Sequence, residues 1–76
     1  MKTNVIIQCS SEGAKPSELI KKFRAKGFTA GIGKYDFVYI WESEPSVEDV
    51  VELLDGLAET LKGTNVRFKA ETVLDL

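Results

Sequence analysis

Two β-prone runs, Phe28 to Ile32 and Phe37 to Glu42, are separated only by Gly33-Lys34-Tyr35-Asp36. A connection this short cannot hold a crossover, so the two runs must fold back on each other as an antiparallel hairpin. Helical periodicity flanks the hairpin on both sides. Upstream, Pro16 suits a first helical position and Leu19, Ile20 and Phe23 recur at helical spacing until Gly27, which predicts a helix from Lys15 to Lys26. Downstream, Ser46 with Asp49 three residues later fits a capping pattern. Val47, Val50, Val51, Leu54, Leu57, Ala58 and Leu61 then form an apolar stripe, predicting a second helix that ends at Gly63.

The two ends of the chain supply one strand each. Thr3 to Cys9 is a short apolar run rich in β-branched residues, closed by the polar cluster Ser10-Ser11-Glu12-Gly13. Val66 to Val73 alternates, with Val66, Phe68 and Ala70 on one face and Arg67, Lys69 and Glu71 on the other. Strand-helix-strand repeated twice predicts an α+β domain over residues 1–76. The expected architecture is a ferredoxin-like βαββαβ two-layer sandwich, with a four-stranded antiparallel sheet and both helices on one face. Right-handed crossovers place strands one and three in the centre of that sheet.

At 76 residues only one small core is available. Such a core contributes about 3–5 kcal/mol, and small domains commonly add disulfides, a metal or association with another copy. One cysteine and no histidine exclude an internal disulfide and the common zinc sets, so association is the expected remedy. Cys9 continues the run Val5-Ile6-Ile7-Gln8 and reads as a small buried residue in a reducing, cytoplasmic compartment. No apolar stretch approaches the roughly 18 residues of a membrane-spanning helix, and no signal-peptide pattern opens the sequence. The net charge of −2 gives no general attraction for nucleic acid or anionic lipid.

Catalytic chemistry finds few candidates. There is no histidine, no GxSxG and no metal-ligand spacing, so a non-enzymatic role without cofactor or metal is expected. Gly31-Ile32-Gly33 lacks the third glycine and the following helix of a dinucleotide fingerprint, and reads as a bulge or positive-φ element of the hairpin. Lys21, Lys22, Arg24 and Lys26 make the first helix basic, whereas Glu48, Asp49, Glu52, Asp55 and Glu59 make the second acidic, as solvated helix faces do.

In strand three, Phe37, Tyr39 and Trp41 alternate with Val38 and Ile40, so both faces are apolar. The helices cover one face only. The aromatic side is therefore expected on the open face as a homodimer interface, with a base-stacking platform for RNA as the alternative and a purely structural assembly role as a third reading.

The hairpin Gly33-Lys34-Tyr35-Asp36, followed by the apolar strand Phe37-Val38-Tyr39-Ile40, resembles the Gly-x-Tyr-Asp signature of the effector (RAM) domain of Lrp/AsnC regulators and of the similar GYD domain. Asn65 to Thr72 resembles the final strand of both families, with Phe68-Lys69-Ala70 departing from it. The resemblance implies a dimeric α+β barrel made by packing open sheets, and a small amino-acid-like effector. It carries over Gly33 for backbone access, Tyr35 for packing or a hydroxyl contact, and Asp36 for an ammonium or an amide. The regulators also carry a helix-turn-helix that this sequence does not show. The expectation is therefore no direct DNA binding, with action through a partner such as a full-length regulator.

Overall fold

A computed structural model describes residues 1–74. The elements are β1 (Lys2–Gln8), α1 (Pro16–Ala25), β2 (Thr29–Ala30), β3 (Phe37–Ile40), α2 (Val47–Thr60) and β4 (Arg67–Val73). They build the expected α+β architecture, one four-stranded sheet in the order β2-β3-β1-β4 with every neighbouring pair antiparallel. β3 and β1 are central. The core joins Leu19 and Phe23 of α1 with Leu57 of α2, Leu61 just beyond it, Val5 of β1 and Phe37 of β3, so both helices cover the same face. Among the described residues no helix is long and apolar enough to cross a membrane.

α1 starts at Pro16, whose fixed φ and missing N–H suit the first turn. It ends in a Schellman motif: the Phe28 N–H donates to the Phe23 carbonyl at 3.0 Å, and the Gly27 N–H donates to the Arg24 carbonyl at 3.0 Å. Gly27 takes φ +91°, a conformation that side chains other than hydrogen rarely tolerate.

α2 opens with the capping box read from the sequence. The Asp49 N–H donates to Ser46 Oγ at 3.1 Å and the Ser46 N–H donates to Asp49 Oδ2 at 2.9 Å. Replacing Ser46 by alanine removes one of these bonds and is expected to lower stability by about 1 kcal/mol, read as an earlier urea midpoint at unchanged slope. The apolar stripe of α2 is wider than the sheet can cover. Leu57 is fully buried, while Val47 and Val51 stay exposed.

Three expectations are corrected. The second strand shortens from Phe28–Ile32 to Thr29–Ala30, because Phe28 is tied to the end of α1 through its N–H on the Phe23 carbonyl, and beyond the in-register bond from the Gly31 N–H to the Asp36 carbonyl the chain turns, with the Tyr35 N–H donating to the Ile32 carbonyl at 3.3 Å. Cys9 is exposed rather than buried: β1 ends at Gln8, and the thiol lies in the exit loop beyond the last paired residue.

The third correction concerns Phe37, Tyr39 and Trp41, which face the helices and not the open side. Phe37 stacks on Phe23 with ring centroids 4.0 Å apart, and Phe23 meets Phe28 edge-on at 5.5 Å. Tyr39 packs edge-on against Phe28 and Trp41. Trp41 Nε1–H donates to the fully buried Thr3 Oγ1 at 2.8 Å, and the Thr3 hydroxyl is bonded in turn to the Thr72 hydroxyl at 2.7 Å. Aromatic rings fill the two-layer interior more completely than Val38 and Ile40 would, so the larger side chains take the covered face.

Candidate functional site

The Gly33–Asp36 hairpin connects the edge strand β2 to the central strand β3. Its backbone is over-determined near Gly31, where a Cβ would overlap the Tyr35 carbonyl oxygen. Gly33 has φ +67° and nothing within 4 Å of where its Cβ would lie, so backbone conformation selects glycine here and the position stays open to approach.

Asp36 is tied to β1 twice. Its N–H donates to the Val5 carbonyl at 2.9 Å, and its Oδ2 accepts the Ile7 N–H at 2.8 Å. β3 pairs with β1 only as far as Phe37 opposite Val5. The Asp36 carboxylate therefore satisfies an amide of β1 that the ladder has left behind. One carboxylate oxygen serves the fold in this way.

Tyr35 extends in a different direction. Its hydroxyl donates to Glu71 Oε2 at 3.1 Å. Glu71 lies on β4 opposite Asn4 of β1, and Asn4 lies opposite Val38 of β3, all on the face away from the helices. The Tyr35 ring consequently crosses β1 over the open face. Asn4 and Val38 are buried there although no helix covers that side. The Lys34 ammonium sits 5.3 Å from the Tyr35 ring centroid, a weak cation–π contact at an exposed site.

Beside the hairpin, between α1 and the ends of β1 and β2, lies a groove of about 320 Å³. Its apolar lining includes Ile7, Leu19, Ile20 and Phe37, and its charged lining residues are Asp36 and Arg24. The volume is at the lower end of the roughly 300–1,000 Å³ of small-molecule sites. Among the described residues Arg24 makes no ion pair.

Of the three positions carried over from the resemblance, the structure brings only Asp36 into this groove. Tyr35 is turned onto the open sheet face, and Gly33 stands at the exposed tip between them. Arg24 was missed by sequence reasoning, which grouped it with the solvated lysines of α1. No local signal separates it from them, because its place on the groove that Asp36 also lines comes from the packing of α1 on the sheet. Among the described residues no cluster of three or more potential metal ligands occurs. Comparison with protein-family profiles, with curated proteins and with solved structures found no match for this chain.

Proposed function

We propose that this chain is a non-enzymatic module that binds a small zwitterion of the amino-acid type in the groove between α1 and the hairpin. The observation that carries the reading is the presence of Arg24 and Asp36 on the wall of one apolar-floored groove. Arg24 is placed to take the ligand carboxylate, the free oxygen of Asp36 its ammonium, and Ile7, Leu19, Ile20 and Phe37 its side chain. Charged groups fix orientation and the apolar floor supplies the burial, the division of labour usual in such sites. The reading extends the resemblance of the Gly33–Asp36 hairpin to Lrp/AsnC effector domains. Regulation then runs through a partner that carries its own DNA-binding element.

A calorimetric screen of the amino acids tests it. One class is expected to bind, and Arg24→Gln and Asp36→Asn are each expected to weaken that binding by about 10- to 100-fold, as loss of a charged hydrogen bond of about 1.5–3 kcal/mol requires. Asparagine retains an acceptor for the Ile7 N–H, so the fold is preserved. No heat from any amino acid, or undiminished affinity in Asp36→Asn, overturns the proposal.

A further inference from the structure

The two edges of the sheet are built differently. β2 is only two residues long and offers almost no ladder to a neighbour. β4 runs for seven residues without proline, and among the described residues nothing pairs with its outer side. A long unprotected edge is a template for another strand.

The order of side chains along β4 selects which strand. In an antiparallel pair of β4 with itself, centred on Ala70, Lys69 stands opposite Glu71 of the second copy, and Glu71 opposite Lys69 of the second copy. Two cross-strand charge pairs form at once, the kind of contact that stabilises antiparallel ladders. Ala70 meets Ala70 at the two-fold axis, where its small side chain permits close approach. The register joins residues of like parity, so whichever alternate set directs N–H and C=O outward meets the same set in the partner. Covered face also continues into covered face, leaving the helices of both copies on one side.

The neighbouring helix carries an independent sign of the same surface. Val47 and Val51 are 76% and 50% exposed, and with Leu54 and Ala58 they follow the 4-3-4 spacing of a helix-packing seam. Val47 and Val51 line a shallow groove together with Thr72 of β4, so the stripe overhangs the β4 edge. The opposite side of α2 faces elsewhere, with Asp49, Glu52 and Leu53 grouped beside Tyr39 and Trp41.

We propose that a second copy of this chain docks through β4, giving a two-fold homodimer with a continuous eight-stranded sheet and the two α2 stripes packed on each other. The interface does not depend on the groove, and effector binding neither requires it nor excludes it.

Light scattering coupled to size exclusion tests the assignment. The expected molar mass is twice the 8.4 kDa of the chain. Lys69→Glu and Glu71→Lys, each placing like charges across the axis, are expected to return the mass to that of one chain with an unchanged circular dichroism spectrum. Combining the two substitutions is expected to restore the dimer, since opposite charges then face each other again. Val51→Glu, on the helix side, is expected to give monomer as well, which separates this interface from one made by the open face. A wild-type monomer at millimolar concentration, a dimer that survives Lys69→Glu or Val51→Glu, or a combined variant that stays monomeric overturns the proposal.

Discussion

Replacing Phe23 by alanine is expected to leave the chain largely unfolded at room temperature. Phe23 is fully buried, stacked face-on against Phe37 and edge-on against Phe28, and so holds α1 against both the central strand β3 and the start of β2. Removing a buried phenylalanine typically costs about 3–5 kcal/mol, the lost transfer energy plus the cavity left behind. A core of this size contributes about the same amount in total. Far-UV circular dichroism should show loss of helix, and the near-UV aromatic signal should vanish with it. A cooperative urea transition close to that of the parent chain would mean that the aromatic cluster does not carry the fold.

The second large effect is expected at Gly31. A methyl group there would overlap the Tyr35 carbonyl and crowd the Asp36 carbonyl carbon, both backbone atoms that cannot rotate away. Gly31→Ala must therefore push the hairpin off β2, breaking the bond from the Gly31 N–H to the Asp36 carbonyl. Over-packing of this sort costs roughly 1–3 kcal/mol. Moving Asp36 should also release the Ile7 amide, seen as faster hydrogen exchange at Ile7, and should weaken zwitterion binding together with stability.

Gly33→Ala provides the control, because the space around it is empty and only its positive φ resists, at about 1–2 kcal/mol. It should lower the urea midpoint without changing exchange at Ile7. Equal protection at Ile7 in both variants would show that Gly31 does not position Asp36.

The contrast between these two glycines illustrates what could be read before the fold was known. Glycine at 31 and 33 marks the hairpin from sequence alone, yet one is needed for space and the other for backbone angle. That difference depends on where the Tyr35 carbonyl lies. The aromatic strand is a sharper case. Alternation in Phe37-Val38-Tyr39-Ile40-Trp41 fixes which residues share a face, but with both faces apolar the pattern has no sign. Phe23 and Phe28, contributed from elsewhere in the chain, decide which side turns inward. The same reasoning covers Arg24, one of several basic residues on α1 until packing places it on the groove that Asp36 also lines.

The order of elements, the antiparallel hairpin, the capping box at Ser46 and the stop at Gly27 follow from the sequence, because each rests on local geometry: periodicity, loop length and side-chain-to-backbone bonds within a few residues. The covered face of the sheet, the exposure of Cys9, the passage of Tyr35 over the open face and the presence of Arg24 and Asp36 on one groove were decided by tertiary structure. Each depends on residues far apart in the chain competing for the same limited interior, and no local pattern records the outcome of that competition.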